Sequence, residues 1–337
     1  VSEVGDLLSD SVFHTLTPEH IIGLVEDSLG IHLTNLCRPL NSYINRVYEL
    51  QTEDQDGLVV KFYRPGRWSR LALQDEHDFL AELTSAEIPV IAPLALQGGA
   101  TIGQHGDTFF TVFPKKGGRS YDEYSEEQWL ELGRLLGRVH DVGARRLPKE
   151  RIVLTPDAAT RQQVDYILAS GSIPADLVGQ YQEVATGLIA EISPLFANLE
   201  LIRIHGDCHF ANLIYRPDES FYLIDLDDMV VGPPVHDLWM LLPGHLEDSL
   251  YEMELFLEGY ETFRPFDRRT LALIEPLRAM RFIHFTAWCA RQLEGGGFIS
   301  VVPNFGSRAY WQGEIADLED QCVLIKDARP LAGGNVA

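Results

Sequence analysis

Residues 205–212 read HGDCHFAN and residues 224–228 read IDLDD, so one stretch holds Asp207, Asn212 five positions later, and Asp225 thirteen beyond that. The flanking pattern supplies a frame. Residues 201–204 are a short apolar run with one Arg, which puts Asp207 in a loop at a strand's end. Residues 213–215 and 221–224 read as the two arms of a hairpin about a turn at 216–220. That hairpin draws Asn212 and Asp225 together. An Asn carbonyl beside a carboxylate suits Mg2+, a hard ion that takes oxygen donors and is commonly held by one or two side chains plus phosphates. Asp207 is then expected to accept the proton of a hydroxyl undergoing phosphorylation. Asp and Asn in loops usually make turns and caps. Turn chemistry asks nothing of this spacing, however, and the three together predict a phosphoryl-transfer site. His205 is expected to hold the loop by hydrogen bonds, and His209 receives no role.

Such a site needs an upstream half, a strand lysine and a helix glutamate that set the phosphates. Residues 46–50 and 58–63 flank a polar turn at 52–57 in a hairpin pattern, and the second strand, LVVKFY, carries Lys61. Residues 69–86 turn helical, with Ser69 as N-cap. There Leu73, Glu76, Leu80 and Leu83 recur at steps of three and four, so Glu76 falls inside the apolar stripe while Asp75, Asp78 and Glu82 fall on the other side. A carboxylate in a buried stripe is costly unless paired. Lys61 is the expected partner, with its ammonium against the phosphates. No GxGxxG loop precedes Lys61. PLNSYINR, residues 39–46, stands there instead, between a helical start and the first strand. It offers backbone amides, the Ser42 hydroxyl, an asparagine side chain and Arg46 to phosphate oxygens.

HGDCHFAN with IDLDD, PLNSYINRVYEL, VVKFYRPGRW, PPVHDLWMLL and IEPLRAMR together resemble the bacterial stress response kinase A family, within the aminoglycoside phosphotransferase-like kinases. The resemblance runs over residues 15–311. HGD and IDLDD are common to the whole superfamily, including small-molecule kinases, whereas NSYINR, KFYRPGRW and EPLRAMR point to the narrower group. The resemblance implies an α+β, bilobal protein-kinase-like fold, with an N-terminal antiparallel sheet plus helix and a larger, mainly helical C-terminal lobe. It implies Asp207 as catalytic base, Asn212 and Asp225 as magnesium ligands at the reacting centre, Lys61 and Glu76 as the phosphate-anchoring pair, and Ser42 on ATP. It also implies that Asp237, in HDLWML, is a buried acid supporting the catalytic loop, and that Asp227 and Asp228 add charge without being ligands. The implied activity is phosphorylation of protein Ser/Thr hydroxyls by Mg-ATP in the bacterial cytoplasm, linked to stress. Residue chemistry alone does not separate a protein hydroxyl from a small alcohol. A kinase of an amino alcohol, aminoglycoside or sugar is therefore the alternative, and a nucleotide-binding pseudokinase scaffold a third, against which the retained Asp207 argues.

At 337 residues the chain exceeds the usual single-domain size, so two lobes around a cleft are expected. PKKGG at 114–118 reads as their boundary, because a strand stops there and a helical pattern follows. The expected division is a helical extension at 1–33, a nucleotide-binding lobe at 34–114, a lobe with catalytic loop, metal site and acceptor-binding helices at 115–330, and a frayed tail at 331–337. Helices are expected at 125–142, started by a capping box of Ser125 and Gln128, and at 158–170, 176–196, 246–264, 268–292 and 310–326, with a loop at the glycines 295–297.

The formal charge of −23 disfavours nucleic acid and anionic membranes as partners and favours a basic peptide or a cationic small molecule. ATP is still accommodated, because magnesium and Lys61 reverse the sign locally. No apolar run approaches the length of a membrane span, and the first thirty residues contain no signal peptide, so a cytoplasmic monomer is expected. Cys37, Cys208, Cys289 and Cys322 show no CxxC spacing, which argues against a zinc site or a disulfide framework, and Cys208 reads as an inert small residue. Only eight residues separate Asp228 from Asp237, too few for a long regulatory segment.

Overall fold

In a computed structural model, residues 13, 16–42, 44–119, 123–217, 219–294 and 302–332 are described. Helix α1, Pro18–Leu29, begins where the Thr17 side chain accepts from His20 N and ends at Gly30, whose φ of 69° is the left-handed conformation that closes many helices. Five strands follow, β1 (Leu33–Leu40), β2 (Arg46–Thr52), β3 (Gly57–Phe62), β4 (Gly103–His105) and β5 (Thr108–Pro114), in the antiparallel order β1-β2-β3-β5-β4. Helix α2, Arg70–Ser85, intervenes between β3 and β4, and Ser69 caps it by accepting from Ala72 N.

Alternation along β3 sorts its side chains. Leu58, Val60 and Phe62 join Ile21 and Val25 of α1 in one apolar core, while Val59 and Lys61 face the opposite way, into a cleft. Strand β1 departs from the sequence reading, which began the sheet at residue 46. LTNLCRPL has no clean period of two, and its register shifts between Leu33 and Cys37. It lies at the sheet's edge, where an irregular, proline-bearing strand is tolerated.

The second lobe is mainly helical. It comprises α3 (Glu126–Gly143), a π turn (Pro156–Thr160) running into α4 (Arg161–Ala169), α5 (Val178–Ile192), α6 (Val235–Trp239), α7 (Leu250–Glu261), α8 (Ile274–Glu294) and α9 (Arg308–Ala332). Two small strand pairs are set among them: β6 (Ile202–Ile204) with β9 (Val230–Gly232), and the hairpin β7 (Leu213–Tyr215) with β8 (Phe221–Leu223). The expected capping box at Ser125 and Gln128 starts α3. Gly133 lets α3 and α7 meet backbone to backbone, since a Cβ there would lie 2.0 Å from the Phe256 carbonyl oxygen. Leu331 and Ala332, expected in a frayed tail, end α9 as helix, while residues 333–337 and the glycines at 295–297 lie outside the described residues. Among the described residues, no helix is long and apolar enough to cross a membrane.

Candidate active site

Strand β6 delivers the chain into the loop at 205–212, and a buried acid holds that loop from behind. Asp237, on α6, accepts from His205 N at 2.7 Å and from Gly206 N at 2.9 Å. The ring of His140 donates to the same carboxylate at 3.1 Å and meets Tyr260 Oη at 3.0 Å on its other nitrogen. Burial alone would raise the Asp237 carboxyl, but the His140 hydrogen bond and the neighbouring imidazoles bring it below the usual range. Gly206 adopts φ 83°, and a Cβ there would lie 2.1 Å from the Asp228 carbonyl oxygen, so glycine is required. His205 has the structural role expected of it: Nδ1 accepts from Asp207 N at 3.2 Å and Nε2 donates to Ile224 O at 2.8 Å.

The hairpin brings the remaining parts together. Asn212 donates from Nδ2 to Asp207 O at 2.9 Å, which leaves its carbonyl oxygen for another partner. Its main-chain oxygen accepts from Ile224 N at 3.0 Å, next to Asp225. Asp225 sits in the left-handed region at φ 58°, ψ 63°, a conformation Asp tolerates better than most residues and one found at functional turns. The Asp207 carboxylate meets Arg281 of α8 at 3.0 Å and His209 Nε2 at 3.2 Å. Burial opposes its ionisation, yet these two groups hold its pKa well below the usual value. His209, left without a role in the sequence reading, therefore contacts Asp207 while accepting from Ala211 N on Nδ1 at 3.2 Å.

Across the cleft stand the residues of the sheet lobe. Ser42, Lys61, Glu76 and Asp225 line one cavity of about 330 Å3, together with Val47, Val59, Phe113, Ile214, Ile224 and residues 114–116. A cavity of that size, lined by apolar side chains together with lysines and carboxylates, suits a flat heterocycle bearing phosphates. Lys61 Nζ lies 2.6 Å from Asp225 Oδ1 and 3.7 Å from Asp227 Oδ1. Burial pulls the Lys61 ammonium down, and the carboxylates of Asp225, Asp227 and Glu76 more than offset this, so it stays charged.

The expected Lys61–Glu76 ion pair is not formed. Glu76 instead receives Arg151 Nη2 at 3.0 Å and Tyr63 Oη at 3.5 Å, and burial raises its pKa against the pull of Lys61 and Arg151. The buried stripe did require a cation, but an arginine from the other lobe supplies it. Arg151 reaches there because its guanidinium also donates to Ala72 O at 2.8 Å and Asp227 O at 2.6 Å. Asp75, expected on the outer side of α2, is buried too and accepts from Lys149 N and Glu150 N, both at 2.8 Å. Arg46 packs its guanidinium over the Phe13 ring at 5.3 Å.

Sequence reasoning missed Asn45, Arg67, Arg151 and Arg281. Asn45 donates to Asp227 Oδ2 at 3.0 Å, and Arg67 bridges Asp227 and Asp228, each at 2.5 Å. Three of the four stand inside stretches already singled out, PLNSYINR, KFYRPGRW and EPLRAMR, whereas Arg151 carries no such signal. Among the described residues, no group of three or more His, Cys, Asp and Glu side chains is arranged to hold a metal. Magnesium asks for less, and the oxygen donors of Asn212 and Asp225 fit an ion that shares its shell with phosphates.

The model of the phosphotransferase enzyme family (APH) matches residues 36–274, a span that contains every one of these residues but Arg281. Stress response kinase A of Escherichia coli (strain K12) is 35% identical over 316 residues, covering 94% of this chain and 95% of its own length. The serine/threonine protein kinase RdoA of Salmonella typhimurium is 34% identical over 320 residues, with the same coverage. Of solved structures, the amicoumacin kinase hAmiN in complex with AMP-PNP, Ca2+ and Ami superposes with a TM-score of 0.75 at 18% identity, covering 93% of this chain and 96% of its own. The microcompartment-associated aminopropanol kinase gives 0.68 at 16%, covering 95% and 100%. At such identities the solved structures speak for the fold, which is the two-lobed kinase fold. The family model spans most of the chain, and a third of its residues recur along nearly the whole length of the curated relatives, so the chain belongs to the phosphotransferase enzyme family, in its stress response kinase A branch.

Proposed function

We propose that this kinase transfers the γ-phosphoryl group of Mg-ATP to a Ser or Thr hydroxyl of a protein, with Asp207 as the base, as part of a bacterial stress response. The observation that carries the reading is the approach of Lys61, from the sheet lobe, to within 2.6 Å of Asp225 beside the loop that bears Asp207 and Asn212. Asn212 and Asp225 would hold the metal, which when bound neutralises the charge on the phosphates. Lys61 and Ser42 line the same cavity as Val59, Ile214 and Ile224; in this reading the first two would take the phosphates and the other three the nucleobase. Asp207, ionised and of low basicity, orients the acceptor hydroxyl and takes its proton late, as the new P–O bond forms. A loose phosphoryl-transfer transition state asks for no stronger base. The protein acceptor is supported by the Salmonella relative named a serine/threonine protein kinase at 34% identity.

Incubation with labelled ATP and a panel of proteins and small alcohols tests the acceptor; label on small alcohols alone overturns it. Asp207→Asn is expected to lower transfer by about 10²–10⁴-fold while ATP affinity stays within a few-fold, because the base acts on the acceptor. Asp225→Asn is expected to lose magnesium-dependent nucleotide binding as well. Retention of most turnover in Asp207→Asn removes the role given to that residue.

A further inference from the structure

The Asp207 carboxylate meets a cation in a molecule of strongly negative net charge. The chain carries −23, and Asp225, Asp227 and Asp228 crowd the metal side of the hairpin, yet the two side chains touching the Asp207 carboxylate are Arg281 and His209. Arg281 stands on α8 with its side chain 42% exposed, so it is open to the space in front of the base. Among the described residues, Asp207 is the sole carboxylate in ion-pair contact with it. His236 and His284, near enough to feel the Arg281 charge, are both held neutral by burial, so neither adds a second cation beside it. A cationic amino alcohol would have to bring its ammonium to a guanidinium here, with the one carboxylate already engaged.

We propose that Arg281 selects the acceptor: the hydroxyl offered to Asp207 belongs to a peptide segment bearing a carboxylate or phosphate beside it, and Arg281 leaves Asp207 to bind that anion. The inference rests on the reading of Asp207 as base and deepens it, since one ion pair is exchanged for another. Binding of the right substrate then frees the carboxylate to meet the hydroxyl. Guanidinium recognises carboxylate and phosphate alike through paired N–H donors. One turn along the same face of α8, Phe285 is 42% exposed and stacks on Trp288, with ring centroids 5.6 Å apart. That apolar surface begins about 6 Å further along the helix axis. It is more than a small alcohol needs and fits the side chain next in a peptide.

The experiment measures kcat and KM for three serine peptides alike except for a Glu, a phosphoserine or a Lys beside the acceptor, together with a hydroxy acid and an amino alcohol. The native enzyme is expected to show a KM at least tenfold lower for one or both anionic peptides than for the Lys peptide, and which anion wins tells carboxylate from phosphate. Arg281→Gln is expected to erase the preference, chiefly through KM. Arg281→Lys keeps it in weaker form, and Arg281→Glu inverts it. Equal KM values in the native enzyme overturn the inference, as does a preference that survives Arg281→Gln. A uniform loss of kcat with the KM ratio unchanged also overturns it, because the arginine would then act on the base alone. If no peptide is phosphorylated and small alcohols are, the protein-acceptor reading fails by itself. Arg281 is then judged on the hydroxy acid against the amino alcohol, and preference for the amino alcohol sinks it.

Discussion

Asp237 shows how much of the site depends on one side chain that touches no substrate. Both of its oxygens accept from the backbone of the loop that carries Asp207, and His140, itself held by Tyr260, fixes it from behind. Asp237→Ala leaves two amides and the His140 N–H buried without partners. The expected loss is about 3–5 kcal/mol of stability, read from urea unfolding, with turnover falling further because the loop is no longer held. The folded carboxyl titrates below its ordinary 3.8, so its contribution is full above that pH and is lost only as pH falls through the lower folded value. The stability gap between native enzyme and Asp237→Ala is therefore expected to be flat from pH 5 to 8; a gap that closes within that range contradicts the ionised state assigned here. The hairpin that relates Asp207, Asn212 and Asp225 was legible because local spacing alone defines it. The partner of Glu76 was not. An apolar stripe says that a buried carboxylate must have a cation, but Arg151 lies 75 residues on, in a stretch without periodicity.

Helices and strands were read where a period was clean and missed where it was broken. α2 and α3 were found with their caps, because leucines at three and four and a capping serine leave little choice. β1 was overlooked because an edge strand has one neighbour and can carry polar residues, a proline and a bulge. Asp75 was assigned to the outer side of α2 by the same periodicity that placed Glu76 inside, yet both are buried, since the other lobe packs against the helix from a second direction. The seam between α8 and α9 hides a further acid. Glu314 accepts from Thr286 Oγ1 at 2.8 Å, with Tyr310 Oη 2.8 Å from the same hydroxyl, and burial pushes its carboxyl up to about 7. Between pH 4.5 and about 7 the folded state thus holds a proton that the unfolded chain has released, so stability falls as pH rises across that window. Glu314→Gln is expected to remove this slope and to exceed the native enzyme by roughly 1–3 kcal/mol at pH 8, because each tenfold change in proton affinity is worth about 1.4 kcal/mol. Urea midpoints at pH 5 and pH 8 decide it: the advantage must grow with pH, and a constant offset rejects the assignment.

At the scale of the molecule, two lobes were legible from length and from the order of strands before helices, but the manner of their joining was not. Ion pairs and side-chain hydrogen bonds do much of it. Lys61 reaches Asp225, Asn45 and Arg67 reach Asp227, and Arg64 donates to Gln292 Oε1 at 2.9 Å. Arg151 runs the other way, from the helical lobe into α2, and its fully buried guanidinium ties Ala72 O and Glu76 to the main chain at Asp227. A buried pair of this kind is weak evidence for net stability, because desolvation offsets its attraction, whereas removing one partner is expensive. Arg151→Met is therefore expected to cost about 3–5 kcal/mol, and nucleotide affinity should fall with it, since Glu76 and Lys61 line one cavity. The cost should be smaller at pH 6 than at pH 8. Without Arg151 the Glu76 carboxyl, already raised by burial, loses a neighbour that favours its ionised form and takes up a proton more readily. Glu76→Gln in the same background should recover much of the loss, with a coupling between the two positions of about 1–3 kcal/mol. Unfolding of the two single variants and the double variant measures that coupling. Strict additivity would mean that the guanidinium serves only the backbone oxygens, and that its hold on α2 runs through Ala72 O rather than through the Glu76 carboxylate.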